Sequence, residues 1–342
     1  MQQAGIGYAI VGCGTMGYAH AQAAQADARS RVVACVDAQI ERAERLAREF
    51  GGYATTEYQR VLDDKAIDGV VLAVPHSLHC DYTVQAAQAG KHVLVEKPMA
   101  NSLEDCDAMI AACERAGVIL LVGHVLRFRR SLQLVKRIID DGSLGRAFFA
   151  RYHNEHYPDL SGGRRWLSFY EEGGVFLSGA VHHSDLMHWW LGEVAAVSGF
   201  CRTIRPEYIE SGREDHTLIV YEFTNGALGE STYTYASHAP QVLMMTPEST
   251  VTFSEGMVAT FYNGEVRVYG HERQLYAGQP FVATAMVDRS AVEAGSSSEV
   301  PHLTDCILTS KPPLISPQDA RRAVELVLAA RRSAQEGRRI EV

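Results

Sequence analysis

Over residues 1–123 short apolar runs alternate with stretches of helical patterning. YAIV (8–11), VVACVD (32–37), GVVLAV (69–74), HVLV (92–95) and VILLVG (118–123) are β-branched or apolar runs of strand length. Between them 38–50, 79–89 and 103–116 read as helices, the last opened by Ser102 with Asp105 three residues on, a capping-box spacing. Strands that alternate with helices predict a parallel sheet covered on both faces.

The pattern changes after about residue 145. One helical stretch, 173–191, precedes runs with β character over 217–235 and 249–270, in which Asn225-Gly226 and Asn263-Gly264 fit tight hairpin turns because both residue types tolerate positive φ. Residues 272–300 are small, polar and weakly patterned and read as a surface excursion. Residues 316–337 read as a capped amphipathic helix ending at Gly337. The predicted fold class is α/β: an N-terminal doubly wound parallel sheet over 1–123, then an α+β domain over 124–342 with an open, mostly antiparallel sheet. The final helix is a candidate to pack back on the first domain.

Composition narrows the function classes. At 342 residues the chain exceeds what one core usually supports, which agrees with two domains. Apolar residues make up 46%, yet no apolar run is long enough to cross a bilayer. The N-terminus MQQAGIGYAIVG lacks a basic region and a cleavage site, so a cytoplasmic protein is expected. Seven cysteines, odd in number and without a CxxC pair, read as reduced packed thiols rather than a metal or redox centre. A net charge of −9 argues against nucleic acid or an anionic membrane as partner.

Three strand ends carry candidate chemistry. GCGTMG (12–17) follows the first strand and opens a helix, the context that gives a G-x-G-x-x-G meaning. Gly12 permits the tight turn, Gly14 lets backbone approach a pyrophosphate, Gly17 lets helix pack on strand, and Thr15 and Met16 complete the loop. This is the fingerprint of a Rossmann dinucleotide-binding domain. Asp37, ending the second strand 20 residues past Gly17, would bond a ribose 2′-hydroxyl and repel a 2′-phosphate, which predicts NAD over NADP; nearby Arg42 softens that preference. Val74, Pro75, His76 and His79 lie at another strand's carboxyl end and are candidates to flank the cofactor; the competing reading makes His76 a loop residue and His79 a helix start. Glu96-Lys97-Pro98 ends a third strand on the same edge, where a lysine ammonium can donate a bond to a substrate oxygen and Pro98 fixes its backbone. The alternative is a salt-bridged surface lysine.

The segment GGVFLSGAVHHSDLMHWWLG (173–192) places His182, His183, Asp185 and His188 on one helix. His182 and Asp185, three apart, share a face, so the histidine can take a hydroxyl proton while the carboxylate orients it. Three metal ligands spread over His182, Asp185 and His188 do not converge on one side of a helix, and no metal is expected.

In GCGTMG, Asp37, GKHVLVEKP (90–98), VGHVLRF (122–128), HxxD (182–185) and the late PLISPQDARRAVELVLAARRSAQEGR, the chain resembles the Gfo/Idh/MocA oxidoreductase family over almost its whole length. The resemblance implies a Rossmann domain and an α/β domain whose open sheet often mediates dimer or tetramer contacts. It also implies NAD(P)-linked oxidation or reduction of sugars, polyols and related hydroxy compounds, with Lys97 matching the family's EKP lysine and His182 its catalytic histidine. One position departs: Ser178 stands where the family often has an aspartate four residues before that histidine. Arg127, His153, His156, Arg164, Ser178, His183 and Asp185 are then the candidates for substrate contact, beside Glu155. The alternatives are an NAD-dependent glycosidase working by transient oxidation and a non-catalytic NAD sensor.

Overall fold

A computed structural model describes residues 5–157, 174–237, 247–262, 264–270 and 298–342, and the backbone of 282–286. The chain divides into two compact units, Met1–Val125 with Ala294–Arg321, and Leu126–Glu293 with Arg322–Val342.

The first unit is built on six parallel strands, β1 (Ile6–Val11), β2 (Ser30–Val36), β3 (Tyr53–Thr55), β4 (Gly69–Leu72), β5 (His92–Glu96) and β6 (Leu120–Gly123), in the order β3-β2-β1-β4-β5-β6. Helices α1 (Thr15–Ala26), α2 (Ile40–Phe50), α3 (Tyr58–Asp63), α4 (His79–Gln88) and α5 (Leu103–Ala116) connect them. Every residue of β1 and β4 is buried, as expected of strands covered on both faces. The chain order reverses between β1 and β4, and at such a switch point the carboxyl ends of the strands open a crevice for ligand. Ser102 caps α5, its Oγ accepting the Asp105 N–H at 3.1 Å, a bond that contributes about 1 kcal/mol.

The second unit carries α6 (Arg130–Asp141), β7 (Ala147–Glu155), α7 (Val181–Leu191), β8 (Val194–Arg202), α8 (Pro206–Ser211), β9 (His216–Phe223), β10 (Leu228–Thr234), β11 (Ser249–Phe253), β12 (Gly256–Thr260), β13 (Glu265–Gly270) and β14 (Val282–Met286). Past α9 (Glu299–Thr309) and α10 (Pro317–Glu336), β15 (Ile340–Glu341) completes a nine-stranded sheet, order β14-β13-β12-β11-β7-β10-β9-β8-β15. It is antiparallel except for β7 against β10. Strict burial alternation along β9 puts Thr217, Ile219, Tyr221 and Phe223 inside and leaves Leu218 and Val220 half-exposed.

Several elements differ from the sequence reading. The 173–191 stretch is not one regular helix: Phe176–Ala180 forms a π-helical turn ahead of α7. Wide turns of this kind arise where a helix accommodates an extra residue, often beside a functional site. In the β9–β10 turn only Gly226 takes positive φ (+83°); Asn225 instead accepts the Ala227 N–H through Oδ1 at 2.9 Å. Gly264 has φ +84°, while Asn263 lies outside the described residues. The excursion expected at 272–300 lies mostly outside them too, but 282–286 form β14 and its end begins α9, where Glu299 and Val300 are fully buried. Tyr8 and Thr304, both buried, hydrogen-bond at 2.9 Å and tie α9 to β1. The first turn of α10 bonds α5 through Gln318 and Glu114, and its later part packs on β8, where Gly199 lies so near Ala330 that a Cβ there would sit 2.0 Å from the Ala330 oxygen. All seven cysteines are free, five of them buried.

Candidate functional site

The glycine loop has the geometry of a phosphate cradle. Gly12 sits at φ +92° and its N–H donates to Val36 O at 2.7 Å, while a Cβ on it would strike the Ala73 backbone. At Gly17 a Cβ would fall 1.9 Å from the Gly12 oxygen, so only glycine lets α1 start this close to the turn. Gly14 faces open space, and beside it Thr15 and Met16 are exposed. The α1 N-terminus has no side-chain cap and no acid in its first turn, which leaves its N–H donors for an anion. Half-buried Asp37 accepts the Cys13 N–H and the Gln39 N–H, each at 2.9 Å, so its carboxylate is aimed at the loop's edge before any ribose arrives. Arg42 is exposed on α2. These residues fit a dinucleotide.

The ends of β4 and β5 lie on the same edge, since β1, β4 and β5 are successive parallel neighbours. Pro75 is exposed and Val74 half-buried, whereas His76 is buried with its ring centroid 5.5 Å from that of His79. His79 is fully buried between two carbonyls, Nδ1 2.9 Å from Pro98 O and Nε2 3.1 Å from Val74 O. Burial pushes its pKa down, and a neutral ring, with a single N–H, donates to one of the two carbonyls and packs against the other, so the ring sits between the two loops. The Lys97–Pro98 bond is cis, and Lys97 is half-buried. Beneath it, buried Glu96 takes the His20 imidazole at 2.7 Å and the Lys97 N–H at 3.2 Å. Burial pushes the Glu96 pKa up, but the His20 hydrogen bond and the neighbouring His20 and Lys97 groups outweigh it and hold the carboxyl below its usual range. His79 is expected from the sequence to flank the cofactor, and Glu96 lies on the same edge; both side chains are buried and engaged by protein groups, and what they do here is hold the loops.

The second unit gathers a different set. His182 is half-buried on the first turn of α7, and Ser178, four residues earlier in the π turn, is buried with Oγ 3.4 Å from the Tyr235 hydroxyl. Gly179 brings that turn onto β10: a Cβ there would lie 2.4 Å from the Tyr233 ring. His183 is fully buried between the rings of Tyr152 (4.5 Å) and Tyr233 (5.1 Å). Burial, with His153 and His156 nearby, pushes its pKa down to about 3, so it stays neutral. Half-buried His153 and exposed His156 lie on β7 and just after it, His156 with its ring 5.8 Å from Tyr233. Asp185 is fully buried and grips Arg127, itself 2% exposed, through Nε at 2.9 and 3.1 Å and Nη2 at 2.7 Å. His188 sits at the far end of α7, with Nδ1 3.2 Å from Gly192 O. Arg164 lies outside the described residues.

Sequence reasoning missed Tyr152, Tyr233 and Tyr235. The available signal was the alternation TYTY at 232–235, which puts Tyr233 and Tyr235 on one face of β10 and its extension.

Comparison with known proteins agrees with this architecture. The model of an oxidoreductase family with an NAD-binding Rossmann fold, GFO_IDH_MocA, matches residues 6–124, and that of the GFO/IDH/MocA C-terminal domain matches 132–273. The chain belongs to the Gfo/Idh/MocA family of oxidoreductases. It is similar to scyllo-inositol 2-dehydrogenase (NAD(+)) of Bacillus subtilis (strain 168), 28% identical over 98% of this chain and 95% of the relative. D-apiose dehydrogenase of Paraburkholderia graminis is also 28% identical, over 98% of this chain and 89% of its own. Among solved structures, levoglucosan dehydrogenase in complex with NADH and levoglucosan shares the fold, with a TM-score of 0.86 at 22% identity over 99% of both chains.

Proposed function

We propose that this chain is an NAD-dependent dehydrogenase of a sugar, polyol or sugar derivative, in which Lys97 and His182 assist at the reacting CH–OH group. The observation that carries the reading is the alignment of Gly12–Gly17, Val74–Pro75 and Lys97 along one edge of the parallel sheet, either side of its switch point. NAD, when bound, supplies the hydride acceptor. The chain's own residues do the rest. Gly12, Gly14 and Gly17 let backbone N–H groups approach the phosphates, and Asp37 holds the ribose and disfavours a 2′-phosphate. Lys97 donates a bond to the substrate oxygen, and His182 takes the hydroxyl proton. His79, joining the loops after β4 and β5, keeps the lysine's backbone in place.

The relatives named above are dehydrogenases of scyllo-inositol and of D-apiose, which supports polyhydroxylated substrates and does not favour the glycosidase or sensor alternatives. Ser178, buried against Tyr235, offers a hydroxyl where the family often has a carboxylate. His153 and His156 then meet the remaining substrate polar groups, whereas His183, expected there too, is fully buried between the Tyr152 and Tyr233 rings and holds the strand and helix together instead. The test is a panel of inositols, aldoses and anhydrosugars, scored by NADH formation with NAD; no turnover on any of them would count against the reading. The half-exposed face with Phe200, Leu218 and Val220 is the surface through which copies associate as a dimer or tetramer. Among the described residues no helix is long and apolar enough to cross a membrane, and a cytoplasmic site of action fits the reduced cysteines.

A further inference from the structure

Beneath the loop that bears Lys97 lies a cluster the proposed reaction does not use. His20 on α1 is fully buried between two acids: Nε2 is 2.7 Å from Glu96 Oε1, at the end of β5, and Nδ1 is 3.9 Å from Glu299 Oε2, on the first turn of α9. Glu299 is fully buried, and among the described residues neither of its carboxyl oxygens has a hydrogen-bond partner, nor does His20 Nδ1. Gly123, ending β6, leaves room for this carboxyl, since a Cβ there would sit 3.2 Å from Glu299 Oε1. Among the described residues, Lys97 acts on both Glu96 and Glu299, and His79 of α4 acts on Glu96.

A carboxylate at full burial with no donor is the costly form, whereas a protonated carboxyl carries its own donor and needs only an acceptor. In the tautomer that donates Nε2–H to Glu96, Nδ1 of His20 is that acceptor. We infer that Glu299 holds a proton in the folded enzyme and that Glu299, His20 and Glu96 form a proton-sharing support beneath Lys97, presenting it with one negative charge instead of two. Closing the 3.9 Å gap by a small side-chain rotation gives one directed chain: Glu299 O–H to His20 Nδ1, His20 Nε2–H to Glu96 Oε1, and the Lys97 backbone N–H to Glu96 Oε2. Burial first, and then the Glu96 charge, push the Glu299 pKa well above the carboxyl range against the opposing pull of Lys97. The three groups also have ligand atoms within 4.8 Å of one another, a spacing open to a divalent ion, but a 2.7 Å His20–Glu96 contact is the length of a direct hydrogen bond.

The inference rests on the reading of Lys97 as a catalytic group only for its effect on turnover, so the test has two arms. In the first, thermal unfolding of wild type and Glu299→Gln is followed against pH. Below about pH 4.3, the usual Glu value, folded and unfolded wild type both hold the proton. Above it the unfolded chain loses the proton and the folded one keeps it, so wild-type stability falls by about tenfold in the folding ratio per pH unit up to the folded pKa. Glu299→Gln has no such proton, and its midpoint rises relative to wild type as pH goes from 4 to 7. A constant difference would overturn the inference, as would a stoichiometric divalent metal in the purified protein. In the second arm, Glu96→Gln moves the pH profile of turnover by about 1 pH unit or more, because it removes a charge beside Lys97, while Glu299→Gln leaves the profile in place, because it removes none. Equal shifts in both variants would show Glu299 ionised and overturn the inference. Failure of Lys97 as a catalytic group would remove the second arm's basis and leave the unfolding result standing.

Discussion

The Arg127–Asp185 pair offers a sharp test of whether α7 is held by a buried strut or shaped by substrate. Arg127 is 2% exposed and Asp185 fully buried, joined by three N–O contacts of 2.7 to 3.1 Å, with the guanidinium 5.4 Å from the Trp189 ring centroid. Asp185→Asn keeps the shape and removes the charge, leaving the guanidinium buried without its carboxylate. Removing one partner of a buried pair costs about 3–5 kcal/mol, and at about 2–4 °C per kcal/mol for a domain of this size the midpoint falls by roughly 6–20 °C. Scanning calorimetry reads this directly. Arg127→Met combined with Asp185→Leu should recover most of the loss, because well-packed apolar groups replace a buried ion pair at little cost. Asp185→Asn with a midpoint within about 2 °C of wild type, together with a large rise in KM, would refute the strut and make the pair a substrate contact.

Asp37→Ser should narrow or invert the preference for NAD over NADP, since the carboxylate at the end of β2 repels a 2′-phosphate; calorimetric titration of both cofactors checks it, and equal wild-type affinities would contradict it. Light scattering should give a dimer or tetramer, with Leu218→Glu on the half-exposed face of β9 shifting it toward monomer; a wild-type monomer at working concentration would remove the proposed interface.

The first half of the chain is legible because a strand covered on both faces must be apolar throughout. The runs at 8–11, 69–74 and 92–95 all overlap observed strands, and Gly12 and Gly17 of GCGTMG occupy positions where a Cβ would collide. β7 was not legible: AFFARYHNE interleaves aromatic, basic and amide residues, and its burial depends on flanking β10 and β11, far off in sequence. The π turn at 176–180 escaped for another reason, since its residues are all apolar or small and carry no period. Lys97 and His182 stood out because strand ends and helix faces are local features. The partners that position such residues are not local. Asp185 meets a residue 58 positions away, and His20 meets Glu96 at 76 and Glu299 across most of the chain. Nothing in the residues around 299 announces a buried acid, because burial there comes from α1, β5 and β6.

In the proposed reaction Lys97 and His182 handle the proton at the carbon that loses hydride. Steady-state NADH formation by Lys97→Ala and His182→Ala, on the substrate the panel identifies, tests it most directly. Each should lose about 10²–10⁴ in turnover with NAD affinity unchanged, and the double variant should lose less than the product, because groups that act as a unit are not additive. Near wild-type turnover by Lys97→Ala would contradict the claim and return the residue to an ordinary surface lysine.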